Sequence, residues 1–228
     1  MTATFDRHSK IYRETVQRSI SGMGVSYDLA TEAKASVISD IIAERHKETH
    51  LDILDVGCGV GTLHRLLRPI QRSLTGIDVS SACVTEAVST HPWARYLAYD
   101  GALLPFEDAS FDFTLTVCVL HHVPLAQHQR FLAEMRRVTR PGGTVCTIEH
   151  NPFNPLTRLA VLRCPFDEDA TLLRAGTAKT LFEEAGLENV SARFFLALPF
   201  RQPAARAFER VFKDVPFGAQ YAVAGQAV

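Results

Sequence analysis

Short apolar runs alternate with segments of helical periodicity from residue 51 to the end of the chain. This alternation is typical of a parallel sheet covered by helices. The run over 111–120 is almost continuously apolar, as expected for a strand that is buried on both faces. The pattern therefore predicts an α/β fold.

The same pattern gives the elements and their limits. Strands are predicted at 51–56, 73–79, 95–99, 111–120, 144–149, 190–198 and 221–228. Helices are predicted from the glycine turn after the first strand to about Arg68, over 81–90, around the apolar positions Phe131 to Val138, over 178–185 and near 203–213. The sequence 140–143 is expected to end the third of these helices. Thr177 is expected to cap the helix at 178–185, and Gly186 to take the left-handed position after it.

Residues 1–48 precede the sheet and carry two amphipathic helices. Their apolar positions are Ile11, Tyr12, Val16 and Ile20 on the first and Ala33, Val37, Ile38, Ile41 and Ile42 on the second. We expect a helical cap over 1–48 packed on a domain over 49–228. The stretch 151–173 is too long for a plain connection, which predicts a lid-like insertion.

Composition is that of an ordinary globular protein. The 228 residues are 46% apolar, with 24 Lys and Arg against 25 Asp and Glu. One domain with a small cap and two small domains are both compatible with this length, whereas disorder and fibrous repeats are excluded. The balanced charge argues against a highly basic nucleic-acid binder and leaves a local basic patch open.

The five cysteines are odd in number and show no C-x-x-C spacing, so we expect reduced thiols. No cluster of His, Cys and carboxylates has zinc-site spacing, which predicts no metal. The first ten residues lack the apolar core of a signal peptide, and no run of about 18 apolar residues follows. These features predict a cytoplasmic protein that does not enter a membrane.

A glycine-rich turn follows the first strand. Gly57, Gly59 and Gly61 would let a ligand approach the backbone closely. The dinucleotide fingerprint needs a glycine where Thr62 stands, which argues against NAD. Asp78 ends the second strand about 20 residues later, where an acid can accept hydrogen bonds from two ribose hydroxyls.

Six ordered motifs over about residues 50–150 extend this pattern. They are Asp55-Val56-Gly57-Cys58-Gly59-Val60-Gly61, Gly76-Ile77-Asp78, Asp100-Gly101-Ala102-Leu103-Leu104-Pro105-Phe106, Phe111-Asp112, Val119-Leu120-His121-His122-Val123, and Leu132 through Arg140-Pro141-Gly142-Gly143. In these motifs the sequence resembles the class I S-adenosylmethionine-dependent methyltransferases, in the group with Leu-His-His-Val after strand four. We therefore expect a Rossmann-like, seven-stranded, mostly parallel sheet with helices on both faces and an antiparallel last strand.

The resemblance implies a place for the methionine end of S-adenosylmethionine. Asp55 would support the turn or the ammonium group, Cys118 would lie beside the methionine portion, and Tyr12 would reach the carboxylate from a helix that begins near residue 5. The backbone that holds this end would be that of Gly57, Cys58, Gly59 and Gly61.

The same resemblance implies a place for the adenosine end. Asp78 would take the ribose hydroxyls, and Asp100 would accept from the adenine amino group. Gly101 and Ala102 would line the adenine ring, with Val79 on its other face.

Polar side chains follow strands four and five at the edge where an acceptor would bind. They are His121, His122, Glu149 and His150. His121 and His150 are the first candidates for acceptor contact or proton removal, since histidine titrates near neutral pH. The alternative for these strand-end histidines is a structural role, with one ring buried and hydrogen-bonded.

Two motifs associated with nucleic-acid methylation are misplaced in this chain. Asn151-Pro152-Phe153 is similar to the Asn-Pro-Pro-aromatic motif of enzymes that methylate amino groups, but it follows strand five, whereas that motif follows strand four. Cys164-Pro165 reverses the Pro-Cys order that is typical of cytosine C5 methylation. A narrower resemblance over 145–224 is to a bacterial subset associated with specialised metabolites or surface glycans. Both observations favour a small-molecule or sugar-linked acceptor over nucleic acid.

These observations predict an enzyme that methylates a small acceptor and releases S-adenosylhomocysteine, as a monomer or homodimer. O-methylation is favoured and N-methylation comes next. The alternatives are a non-catalytic S-adenosylmethionine-binding scaffold that acts through partners, a nicotinamide oxidoreductase and, last, a nucleic-acid methyltransferase.

Overall fold

The computed structural model describes residues 12–196, 207 and 209–228. Parts of three predicted elements lie outside these residues: 5–11 of the first helix, 197–198 of the strand at 190–198, and 203–206 and 208 of the helix near 203–213. Seven strands form one sheet: β1 Leu51–Val56, β2 Gln71–Asp78, β3 Arg95–Ala98, β4 Phe111–Val117, β5 Thr139–His150, β6 Glu188–Phe195 and β7 Gln220–Gln226. The described helices are α1 Tyr12–Ser19, α2 Tyr27–Arg45, α3 His64–Leu67, α4 Ser81–Thr90, α5 His128–Val138, α6 Pro155–Arg163 and α7 Ala175–Glu184.

The strand order is β3-β2-β1-β4-β5-β7-β6. Strands β1 to β5 pair in parallel, and β7 runs antiparallel to β5 and to β6. This confirms the predicted mostly parallel sheet with an antiparallel last strand. The chain leaves β1 toward β2 and returns on the other side of β1 as β4, and ligands bind at such a switch point in open α/β sheets.

The two faces of the sheet carry separate apolar cores. On one face Ile38 and Ile41 of α2 pack with Ile53 of β1. On the other face Leu132 of α5 and Phe182 of α7 pack against the sheet. Because successive strand residues point to opposite faces, one buried strand supplies both cores.

Local capping explains several helix starts. The Ser80 hydroxyl accepts the Cys83 N–H at the start of α4, so the helix begins where the sequence predicts it. Asn154 caps α6 by accepting the Thr157 N–H. The prediction of Thr177 as a cap is wrong, because α7 begins at Ala175 and Thr177 lies within its first turn.

Every strand except β1 differs from its predicted limits at one or both ends, and the start of β5 and the end of β4 are two of the larger differences. β5 begins at Thr139 rather than residue 144, because the sequence 140–143 forms an irregularity inside the strand where pairing with β4 shifts register. Gly142 takes a φ of 82° there, and its N–H donates to the Ala227 carbonyl. β4 ends at Val117, and residues Leu120–His122 form a short 3-10 helix.

The segment 151–173 carries α6 and a second 3-10 helix, Pro165–Asp167. The Asn151 side chain donates to the Gly218 carbonyl, and the Thr171 N–H donates to the His121 carbonyl. Its function as a lid, and the division into a cap and a domain, stay predictions. In the part of the chain that is described, no helix is both long enough and apolar enough to cross a bilayer.

Candidate active site

The glycine turn after β1 is held by backbone hydrogen bonds. The N–H groups of Gly57 and Cys58 both donate to the Ile77 carbonyl, at 2.7 and 3.1 Å. Gly57 takes a φ of +78°, and a Cβ added there would lie 2.5 Å from Val119 Cγ2. Gly59 also has a positive φ, but a Cβ there would meet nothing within 4 Å. The turn therefore needs glycine at 57 for packing and leaves open space at 59.

A cavity of about 580 Å³ opens beside this turn, within the usual range for small-ligand sites. Most of the predicted cofactor residues line it: Tyr12, Asp55, Gly57, Cys58, Gly59, Asp78, Val79, Asp100, Gly101, Ala102 and Cys118. Gly61, His121 and His150 are not part of this lining. The cavity also has lining residues that sequence reasoning missed, including Tyr27, Lys34 and Arg130.

Asp78 lies at the carboxyl end of β2 and is 9% exposed. One carboxylate oxygen accepts the Gly59 N–H and the other accepts the Ser80 N–H, both at 2.8 Å. Burial raises the pKa of this carboxyl group. A carboxylate has about four acceptor positions, so two remain for the adjacent hydroxyls of a ribose.

The end of β3 forms a second wall of the cavity. Asp100 Oδ1 accepts the Ala102 N–H at 2.8 Å. Gly101 has a φ of +80°, and a Cβ added to it would lie 3.2 Å from Val79 Cγ1. Val79 is 40% exposed, so its apolar surface is available to a flat ring. This wall suits adenine, as the resemblance implies.

Asp55 is connected to a buried chain of hydrogen bonds that the sequence does not reveal. His64 Nε2 donates to Asp55 Oδ2 at 2.9 Å, and the Tyr96 hydroxyl donates to His64 Nδ1 at 2.5 Å. A side chain at Gly61 would meet Tyr96 and His64, so Gly61 lies behind the turn rather than on the cavity.

The other oxygen of Asp55, Oδ1, is buried and has no hydrogen-bond partner within the described residues. Asp55 lines the cavity and is 3% exposed. A buried carboxylate oxygen without a partner costs free energy, and an ammonium group would supply the missing donor. This acceptor oxygen therefore fits the methionine ammonium of S-adenosylmethionine.

We expect His64→Leu to destabilise the protein by about 2–3 kcal/mol, because Asp55 would lose its buried donor. Tyr96→Phe should cost about 1 kcal/mol, since only the outer hydrogen bond of the chain is lost. Urea denaturation measures both values. A change below about 0.5 kcal/mol in His64→Leu would show that Asp55 does not depend on this histidine.

The N-terminal helices form the third wall. The Tyr12 ring lies 5.0 Å from the Phe166 ring, and Tyr27 shares a hydrogen bond of 2.9 Å with Thr62 in the turn. Burial raises the pKa of Tyr12 well above its usual range, so this hydroxyl is a hydrogen-bond donor at neutral pH. Tyr12 is thus at the cavity, whereas the residues before it lie outside the described residues.

Cys118 follows β4 in a left-handed conformation, with φ 57°. Its Sγ accepts a weak hydrogen bond from Gln220 at 3.5 Å. Although burial raises the pKa of this thiol, Lys34 and His150 lower it to about 7. Cys118 lines the cavity where the resemblance places the methionine portion.

The two predicted catalytic histidines lie behind this wall. His121 is 1% exposed; its Nδ1 contacts Glu149, and its Nε2 lies 3.3 Å from Asp167 Oδ1. Its ring centroid is 5.2 Å from that of His150. Burial lowers the pKa of His121, but Glu149 and Asp167 together raise it well above its usual value.

A protonated His121 donates hydrogen bonds and cannot accept a proton. To act as a base, His121 needs a free Nε2, so Asp167 would have to move away from this atom. The function of His121 as a base stays a prediction. His122, another of the polar residues after strand four, lines the cavity and also contacts Asp167, at 3.5 Å. Asp167 gives no signal in the sequence, since it lies 46 residues from His121.

Comparisons with known proteins agree with this geometry. A family model described as a methyltransferase domain matches residues 54–147. The chain is 36% identical over 141 residues to phthiotriol/phenolphthiotriol dimycocerosates methyltransferase 1 of Mycobacterium ulcerans, covering 57% of this chain and 51% of that protein. It is 29% identical over 136 residues to malonyl-[acyl-carrier protein] O-methyltransferase of Pectobacterium atrosepticum, covering 58% and 52%. The chain thus spans about half the length of these curated relatives.

A solved structure supports the fold over the whole chain. A SAM-dependent methyltransferase from Thermotoga maritima superposes with a TM-score of 0.70 at 18% identity and covers 100% of both chains. The matched family model, the sheet order and the residues that line the cavity are all as expected for an S-adenosylmethionine-dependent methyltransferase. Residues 54–147 thus match a methyltransferase domain, and the chain has the fold of solved S-adenosylmethionine-dependent methyltransferases.

Proposed function

We propose that the protein transfers a methyl group from S-adenosylmethionine to a small-molecule acceptor, with O-methylation favoured and N-methylation next. The observation that carries this proposal is the cavity that joins the glycine turn and Asp78 to aromatic side chains of α1 and α2. Its lining residues come from both ends of the predicted cofactor site and from Tyr12 and Tyr27. Space beside the methionine end is what an acceptor needs.

When bound, S-adenosylmethionine supplies a methyl group on a positively charged sulfur. The residues of this chain then have to bind the cofactor, orient it toward the acceptor and exclude water from the site. Asp78 would accept hydrogen bonds from the ribose hydroxyls, Asp55 Oδ1 would accept one from the ammonium group, and Val79 would pack on the adenine. Residues that hold both ends of the cofactor would orient it for transfer to an acceptor, and alignment of this kind accounts for much of the rate of a displacement.

A hydroxyl acceptor must lose its proton, whereas an amine can be methylated as its neutral form. His121 and His150 are the proposed proton acceptors, with Glu149 fixing the His121 ring. Glu149 is itself held by the N–H groups of Val119 and Leu120. Proton removal by a positioned side chain contributes about 10²–10⁴-fold to a rate.

The named relatives support the acceptor class. One is named for phthiotriol and phenolphthiotriol dimycocerosates and the other for O-methylation of malonyl-[acyl-carrier protein]. The first name is that of an enzyme with a small-molecule acceptor, and the second supports O-methylation. As part of the proposal, the present chain acts on a small-molecule acceptor in the cytoplasm, as a monomer or homodimer.

The test is incorporation of a labelled methyl group from S-adenosylmethionine into a panel of hydroxylated and amino acceptors. We expect a methylated hydroxyl product with stoichiometric S-adenosylhomocysteine. His121→Ala and His150→Ala should each lower turnover on that acceptor by about 100-fold or more if they remove its proton. Wild-type turnover in both variants would contradict the base assignment. Cofactor binding without transfer to any acceptor class would favour the non-catalytic scaffold.

A further inference from the structure

Three side chains that commonly ligate metals converge beside the cavity. His121 follows β4, His150 ends β5, and Asp167 ends the 3-10 helix after α6. One donor atom from each lies within 4.8 Å of the other two. We propose that these three residues bind a divalent transition-metal ion, with Zn²⁺ as the first candidate.

Glu149 orients the first of these ligands. One of its oxygens contacts His121 Nδ1, and the other accepts the Leu120 N–H at 2.8 Å. A carboxylate that holds one imidazole nitrogen, so that the other points at the metal, is the usual arrangement around a histidine ligand. The ring of His121 is therefore prepared for coordination through Nε2.

A positive charge is needed between His121 Nε2 and Asp167 Oδ1, because both atoms are hydrogen-bond acceptors when the His121 ring is neutral. With Nδ1–H directed at Glu149, Nε2 of a neutral ring presents a lone pair toward Asp167 Oδ1, 3.3 Å away. His122 Nε2 lies 3.5 Å from the same oxygen. Either an additional proton or a cation must lie among these atoms, and a divalent ion also balances the two carboxylates, Glu149 and Asp167.

The donor set narrows the choice of ion. Two imidazoles and one carboxylate are ligands of Zn²⁺ and of neighbouring first-row metals, whereas Mg²⁺ and Ca²⁺ prefer oxygen. With zinc–ligand bonds of about 2.0–2.2 Å, tetrahedral donor atoms lie about 3.4 Å apart; His121 Nε2 and Asp167 Oδ1 already lie 3.3 Å apart, so the movement needed is mainly that of His150. Side-chain rotation of His150 and Asp167, both partly exposed, can supply that movement.

The ion would join the segment 151–173 to the ends of β4 and β5. Asp167 belongs to that segment, and Thr171 already donates to the His121 carbonyl. The Phe166 ring, next to Asp167 in sequence, packs on Tyr12 of the cavity wall. Bound zinc would therefore fix this wall. In the zinc-bound protein the Nε2 lone pair of His121 would be coordinated, and in the metal-free protein the same lone pair would be available for proton removal.

The test is zinc binding to the full chain after treatment with a chelator, measured by calorimetry and by thermal unfolding. We expect one equivalent to bind and the melting temperature to rise by about 5–10 °C at 100-fold excess over Kd. Replacement by Co²⁺ should give visible absorption bands of a site with nitrogen and oxygen ligands. Binding is measured without an acceptor or S-adenosylmethionine, so the result does not depend on the proposed methyl transfer.

His150→Ala and Asp167→Asn should each weaken zinc binding at least 30-fold. Asp169→Ala, in the same segment, and His50→Ala, an exposed histidine, are matched controls that should bind like the wild type. Circular dichroism of each variant shows that it is folded. No stoichiometric binding to the wild type, or equal binding in His150→Ala and Asp167→Asn, would overturn the proposal; equal binding would place the ion on the cysteines or elsewhere.

Discussion

Asp78→Ala is expected to weaken S-adenosylmethionine binding by at least about 100-fold. The carboxylate would accept both ribose hydroxyls, and hydrogen bonds to a charged acceptor contribute about 1.5–3 kcal/mol each, which corresponds to two orders of magnitude or more in Kd. The same carboxylate also accepts the Gly59 and Ser80 N–H groups, so its loss would loosen the glycine turn as well. Calorimetric titration with S-adenosylmethionine and S-adenosylhomocysteine measures the effect.

Glu107→Ala is the matched control for this variant, because Glu107 is an exposed acid that does not line the cavity. It should bind both ligands with wild-type affinity. Asp78→Asn refines the test, since an amide keeps one acceptor oxygen but loses the charge, and it should fall between the wild type and alanine. Near-normal affinity in Asp78→Ala would mean that the ribose is bound elsewhere.

Gly57→Ala is expected to lower the free energy of unfolding by about 3 kcal/mol. The residue has a φ of +78°, and the new Cβ would lie 2.5 Å from Val119 Cγ2. Left-handed strain costs about 1 kcal/mol or more in a residue with a Cβ, and the clash with Val119, a partly buried residue of the cavity wall, adds about 1–3 kcal/mol. Urea denaturation with fluorescence of the single tryptophan measures the change.

Gly22→Ala separates the two causes. Gly22 has the same φ of +78° but nothing within 4 Å of the added Cβ, so it should lose only about 1 kcal/mol. Gly59→Ala should likewise lower the free energy of unfolding only slightly. It should still weaken cofactor binding, because its Cβ enters the cavity beside the turn. Equal losses of stability in Gly57→Ala and Gly22→Ala would show that Val119 moves aside and that the clash is harmless.

Some parts of the fold follow from local sequence alone. The predicted limits of β1 are correct because its apolar positions lie between the polar stretch 46–50 and the glycine turn that begins at Gly57. Those of α4 are correct because Ser80 is a good cap that precedes an apolar helical pattern. The predicted start of β5 is wrong because Pro141, Gly142 and Gly143 have the composition of a turn, while pairing with β4 and β7 keeps them in the sheet.

The cofactor wall is predictable for a related reason. Asp78 and Asp100 end neighbouring parallel strands, and parallel strands present their carboxyl ends at one edge of the sheet. Their register therefore brings them to the same cavity without any further information. Gly61 is expected at the cavity because it continues the glycine pattern, but its space is taken by His64 and Tyr96 behind the turn.

By itself, the sequence determined the α/β class, the glycine turn, and the two acids that line the cavity, Asp78 and Asp100, because each depends on a few neighbouring residues and on strand direction. Only the tertiary structure decided the partners of those groups. His64 and Tyr96 meet Asp55, and Asp167 meets His121 across 46 residues, because strand order and the packing of the segment 151–173 bring distant positions together. Those contacts fix which histidine nitrogens are free, and hence whether His121 accepts a proton, donates one or binds a metal.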